Sequence, residues 1–121
     1  MRYYQKGVRA ELEWVKFLNY RGFGSVRSAA SGNALYPVDV VAIRKGLVLA
    51  FEVKNYAKLP RLDKEQAGAM KGWCDKTGAF GFLAWRSKNG WLFLRLQDAV
   101  DGNYKNERWI TMPSLLAAFG I

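Results

Sequence analysis

Asp39, Glu52 and Lys54 are the residues of this chain best suited to do chemistry together. Two β-rich runs, 38–44 and 47–54, are separated only by Lys45 and Gly46, and a two-residue connection ending in glycine predicts a hairpin. With those two residues as the turn, Arg44 faces Leu47, and the register carries Asp39 across from Glu52, their Cβ atoms roughly 5 Å apart on one face. Side chains alternate along a strand, so Lys54 shares the face of Glu52. Two facing carboxylates in a half-apolar sheet repel each other, and burial raises their pKa values. Lys54 supplies one neutralising charge; a divalent cation would supply two. Glu11 is a third acid in an odd place, within the apolar stripe of Val8, Leu12, Val15 and Leu18 on a predicted first helix. Glu13 falls off that stripe and reads as a solvated surface acid. Pattern alone leaves open a partly exposed salt-bridge cluster for the trio, and for Glu11 a place at the stripe's edge with its head in water.

Composition restricts what else could react. There is no histidine, which removes Ser-His-Asp and Cys-His catalysis and His-ligated metals. The single cysteine, Cys74, excludes an intrachain disulfide and a multi-cysteine zinc site. Chemistry then falls to carboxylates, lysines, tyrosines or a hard cation, and oxygen-only ligands favour Mg²⁺ or Mn²⁺ over zinc. Nineteen basic against ten acidic residues leave a charge of +9, most of it before residue 65. That excess points to a polyanion, nucleic acid ahead of an anionic membrane.

The elements that must position these groups fit one domain spanning 1–121, long enough for a single core. With 50% hydrophobic residues the chain is too apolar for disorder, no apolar run approaches a membrane span, and the N-terminus lacks the pattern of a secretion signal. A soluble intracellular protein is expected. The spacing predicts a helix over 4–20 stopped by Gly22, a short strand over 23–27, a turn-rich loop over 28–37, the hairpin, and a second helix over 61–76 with Asp63 as its N-cap. A further strand pair, 79–85 and 91–96, a last short strand near 109–112 and a helical turn opened by Pro113 complete the chain. The order α-β-β-β-α-β-β plus a short C-terminal helix predicts an α/β fold, a mixed central sheet of about five strands flanked by helices.

Lys6-Gly7 followed by Glu11, then Gly22-Phe23, Val26-Arg27-Ser28, Ser31-Gly32, Val38-Asp39, Glu52-Val53-Lys54 and Lys64-Glu65-Gln66 resemble the archaeal-type Holliday junction resolvases (Hjc-like) of the PD-(D/E)xK nuclease superfamily. The likeness runs over nearly the whole chain, to Pro113-Ser114-Leu115-Leu116, and implies a restriction-endonuclease-like fold. In this sequence Val38 stands directly before the aspartate, with Pro37 one place further back. Leu12 stands where relatives often carry arginine, and Thr77 replaces one aromatic of a pair on the second helix.

The resemblance implies a homodimeric, Mg²⁺-dependent endonuclease, with Mn²⁺ able to substitute, that binds four-way DNA junctions and nicks two strands symmetrically. It assigns Glu11, Asp39 and Glu52 as metal-binding acids, with the backbone carbonyl of Val53 a further ligand. Lys54 becomes the catalytic lysine, Ser31 a loop serine at the site, Arg27 a DNA-contacting arginine, and Gln66 a helix glutamine near the catalytic strand. Phosphate contacts are expected from Arg2, Lys6, Arg9, Arg27, Lys58, Arg61 and Lys64, and a dimer contact from Trp73 and Met70. No membrane and no other small-molecule cofactor are expected, and the implied location is the cytoplasm of an archaeal cell, or of the host if the gene is viral. Two other readings stay open: the same nuclease core acting on nicked, flapped or plain duplex DNA, and a non-catalytic DNA-binding protein.

Overall fold

The computed structural model describes residues 2–29 and 35–121, with side chains in the first helix from residue 5 onward. Helix α1 (Arg2–Tyr20) leads into β1 (Gly24–Arg27), and β2 (Val40–Arg44) and β3 (Leu47–Lys54) follow as the hairpin. Helix α2 (Lys64–Thr77) crosses over to β4 (Phe80–Ser87), which turns back as β5 (Gly90–Arg95). A short α3 (Leu96–Val100), a 3₁₀ turn (Asn106–Arg108), β6 (Ile110–Thr111) and α4 (Met112–Ala118) complete the chain. The six strands lie in sequence order across one sheet, antiparallel except where β3 runs parallel to β4 across the α2 crossover.

The hairpin forms at the expected register, Arg44 opposite Leu47 and Val40 opposite Phe51. Its turn places Lys45 at φ 48° and Gly46 at φ 86°, the left-handed pair that matches the twist of two short-linked strands. Asp63 caps α2 by accepting from the Gln66 amide at 2.7 Å, and Gly78 at φ 75° ends that helix in a left-handed turn.

Each face of the sheet has its own core. Trp14, Leu18, Phe51, Phe93 and Leu115 pack on one side beneath α1 and α4, while Ala50, Met70, Cys74, Leu83 and Leu94 pack on the other beneath α2 and α3. Strand β3 shows the alternation that joins them: Leu49, Phe51 and Val53 go to the first core and Ala50 to the second. Glu52 and Lys54 continue the face of Ala50.

Three expectations change. The sheet has six strands, since the short run ending at Thr111 does pair with β5. Helix α1 buries Ala10, Trp14 and Leu18, so its apolar stripe is turned by about one residue from the one read in the sequence, and Leu12 is exposed. The five-residue α3 went unseen because an element of that length shows no period. Among the described residues, no helix is long and apolar enough to cross a membrane.

Candidate active site

The site lies where β2 begins and β3 ends. Asp39 sits just before the first paired residue of β2, and the ladder slips there: its amide donates to the Phe51 carbonyl at 3.0 Å, although Phe51 already faces Val40. Two residues on one strand thus face one on the other, the arrangement of a β-bulge, which re-aims a side chain. The Asp39 carboxylate turns along β3, and its Oδ2 accepts from the Val53 amide at 2.8 Å. Glu52 is next to that amide, and Lys54 Nζ lies 3.4 Å from Glu52 Oε2. The three groups predicted to converge do so, but Asp39 reaches the site through this irregularity and not as the directly facing partner of Glu52. Asp39 and Glu52 are 4% and 3% exposed.

This burial sets the electrostatics. Burial first, and then the neighbouring Asp39, push Glu52 up to about 8, against the opposing pull of Lys54. For Lys54, burial pulls downward but Glu52, Tyr56 and Asp39 outweigh it, so the ammonium is held above its usual range. Glu52 Oε1 is buried with no hydrogen-bond partner among the described residues. A buried carboxylate oxygen in that state costs of order 1–3 kcal/mol unless something positive meets it. Two buried acids with a free oxygen and no nitrogen or sulfur ligand suit a hard divalent cation, and the all-oxygen donor set fits Mg²⁺ or Mn²⁺.

Glu11 is placed differently. Its Oε1 accepts from Arg27 Nε at 3.0 Å, linking α1 to β1. Burial and the charge of Asp39 raise its pKa, while Arg27 opposes them. No group of three acidic, cysteine or histidine side chains closes into a ready ligand set among the described residues, so Glu11 stands beside the Asp39–Glu52 pair and does not join it. Arg27, expected on DNA, is engaged with Glu11. Ser31 lies outside the described residues.

Among the remaining expected DNA contacts, the Arg2 side chain lies outside the described residues. Arg9, Lys58 and Lys64 are exposed and Lys6 half-buried, the Arg61 guanidinium lies 4.6 Å from the centre of the Tyr104 ring, and Gln66 is half-buried on the first turn of α2. Of the expected dimer contacts, Trp73 is half-buried, but Met70 is 0% exposed and fills the core beneath α2. It has nothing to present to a partner: a methionine three places before Trp73 on this helix points into its own sheet.

Sequence reasoning missed a second cluster. Glu13 is exposed, as read, but it also accepts from Trp91 Nε1 at 2.7 Å and from Arg86 Nε at 3.0 Å, tying α1 to the β4–β5 hairpin. Arg86 and Lys88 stand with Lys6 and Arg9 around a cleft of about 570 Å³ that begins at Asn55 and Tyr56, immediately after Lys54. The bases Arg86 and Lys88 at the Lys88-Asn89 turn were the available signal, but only the long-range pairing of β4 with β3 brings them to the site.

An acid at the mouth of one strand, Glu-x-Lys at the end of its hairpin partner and a mixed sheet between helices define a nuclease of the PD-(D/E)xK class. Comparison with known proteins narrows this. The family model of archaeal Holliday junction resolvase (Hjc) matches residues 2–116. The chain is 31% identical over 106 residues to the crossover junction endodeoxyribonuclease Hjc of Sulfolobus acidocaldarius, covering 82% of this chain and 74% of that one. It is 34% identical over 92 residues to the protein of the same name from Methanocaldococcus jannaschii, covering 75% of this chain and 66% of that one. The crystal structure of Hjc from Archaeoglobus fulgidus, a Holliday junction resolvase, superposes with a TM-score of 0.67 at 28% identity, over 75% of this chain and 78% of the other. The chain belongs to the archaeal Holliday junction resolvase family.

Proposed function

We propose that this protein is a metal-dependent endonuclease that binds four-way DNA junctions and nicks two strands symmetrically, as a homodimer. The observation that carries the chemistry is the buried Asp39–Glu52 pair, with one carboxylate oxygen orphaned and Lys54 at 3.4 Å from the other. The junction comes from the relatives, two of which are named crossover junction endodeoxyribonucleases.

Asp39, Glu52 and the Val53 carbonyl would hold the cation, which when bound activates water and offsets charge at the scissile phosphate. The chain's own residues do the rest. The Val53 amide fixes one oxygen of Asp39 and so holds that carboxylate beside Glu52. Glu52 gives up its proton when a positive charge arrives, since what held that proton was burial and repulsion from Asp39. Lys54, kept protonated, orients the attacking water or stabilises charge developing on the phosphate. Glu11 acts through Arg27, holding the guanidinium at the rim where a phosphate can meet it. Sequence reading of the DNA is not expected, because nothing in the chain's sequence resembles a recognition helix; phosphate contacts and shape dominate.

Paired incision by a chain with one site calls for two copies. Val26 and Ile43, 67% and 50% exposed, share one face at the β1 edge, and with half-buried Trp73 they supply apolar surface for a second copy to cover. The test of function is incubation with a labelled four-way junction and a matched duplex, in Mg²⁺ or in EDTA. Symmetric nicks in the junction alone, lost in EDTA, are expected. Equal cutting of the duplex would transfer the protein to the wider nuclease class, and no cutting of either would reduce it to a DNA-binding protein.

A further inference from the structure

The cleft beyond Lys54 has a composition that the hydrolytic chemistry does not require. Its walls carry four cations, Lys6, Arg9, Arg86 and Lys88, against one acid, Glu13, with Asn55 and Tyr56 beside them. Two of these are fixed in place. Arg86 is held by Glu13, and Asn55 Nδ2 donates to the Lys6 carbonyl at 3.2 Å, closing the floor between α1 and the end of β3. Tyr56 is anchored through its backbone, whose carbonyl accepts from Trp85 Nε1 at 2.8 Å, while Trp85 packs edge-on against Trp109. The residue nevertheless stays 49% exposed, its ring 5.8 Å from Lys54 Nζ. An exposed aromatic with a braced backbone, set among cations two residues beyond a catalytic lysine, is poorly explained by core packing.

We propose that this cleft takes one nucleotide of a strand that has left its duplex, its phosphate met by Arg86 with Lys6 or Arg9, and its base stacked on Tyr56. Cations around a stacking ring are how proteins hold unpaired strands, because phosphates give affinity and any base offers a π-face. Bases inside a continuous duplex are already stacked on both sides, whereas a branch point exposes a face. Tyr56 would therefore be a specificity-determining residue, favouring branched over linear DNA. The inference rests on the nuclease reading above and adds the group that senses the branch.

The test uses full-length protein in EDTA, so that binding is read without cleavage. The probes are a four-way junction with 2-aminopurine at the crossover and a duplex of the same sequence. Tyr56→Leu should bind the junction about tenfold more weakly, the loss of roughly one base–aromatic stack, with the duplex unchanged. Wild type and Tyr56→Phe should alter 2-aminopurine fluorescence on binding, and Tyr56→Leu should not. Arg86→Gln should weaken the junction more than the duplex and lower the salt slope of junction binding by about one, as a phosphate contact does. Unchanged junction affinity and fluorescence in Tyr56→Leu would overturn the inference, and so would a loss in Tyr56→Phe as large as in Tyr56→Leu, since that assigns the effect to the hydroxyl. Neither result touches the nuclease reading, which fails separately if wild type with Mg²⁺ leaves the junction uncut.

Discussion

Glu52 holds a proton that the unfolded chain would release, and this has a consequence measurable without DNA. In the folded protein its carboxyl titrates at about 8 against 4.5 when unperturbed, so between those values the native state binds more protons than the unfolded one. Stability of the metal-free protein therefore falls as pH rises through that window, with Glu11, also raised, adding in the same direction at its lower end. Glu52→Gln should flatten the fall and make the metal-free protein more stable than wild type near pH 8, by a few kcal/mol at most. Denaturant unfolding at pH 5 and pH 8 checks this, and a wild-type profile as flat as the variant's would contradict it. Mg²⁺ should raise the melting temperature of wild type at pH 8 and do little at pH 5, where the proton competes for the same oxygens. At this scale the sequence was readable wherever chemistry followed from alternation: Asp39, Glu52 and Lys54 meet as expected. Glu13 was not readable, because its partners, Trp91 and Arg86, are more than seventy positions away and reach it only through packing.

The hairpin is the element on which the site depends, and its turn does the setting. Lys45 and Gly46 take left-handed conformations, which glycine adopts freely and a β-branched residue does not. Gly46→Val should destabilise the fold by about 1–2 kcal/mol, seen as a lower denaturation midpoint at unchanged slope. Among the folded molecules, cleavage should persist if the register survives. Inserting one residue into the turn threatens that register, and with it the meeting of Asp39 and Glu52, so cleavage should fall much further than stability. The hairpin could be foreseen because turn chemistry is local. The alternation of apolar residues showed α1 but missed its rotation, since Ala10 and Trp14, not Val8 and Leu12, are the residues the sheet beneath accepts. The bulge at Asp39 left no mark in the sequence. It improves on the simple pairing, because it turns the carboxylate toward the Val53 amide as well as toward Glu52.

The whole molecule is a cationic body in which two of the ten acids, Asp39 and Glu52, are buried together at the end of the hairpin, an arrangement that separates binding from cutting. Junction affinity should fall steeply with salt, as expected where several phosphates are neutralised, and should do so with or without Mg²⁺. Sedimentation should find a dimer at micromolar concentration, weakened by Trp73→Ala or by Ile43→Asp; a monomer in wild type would remove the basis for paired incision. Net charge pointed to a polyanion, nucleic acid first, from composition alone, but the basic cleft could not be located, since Lys6 and Arg9 come from α1 and Arg86 and Lys88 from the far hairpin. The most direct measurement is single-turnover cleavage of a labelled four-way junction by Asp39→Asn and Glu52→Gln beside wild type, with binding measured in EDTA. Cleavage should drop by at least roughly a thousandfold, as expected when the cation's ligands are lost, while junction affinity stays within about twofold. Variants that cut at the wild-type rate would contradict the assignment of this carboxylate pair as the hydrolytic centre.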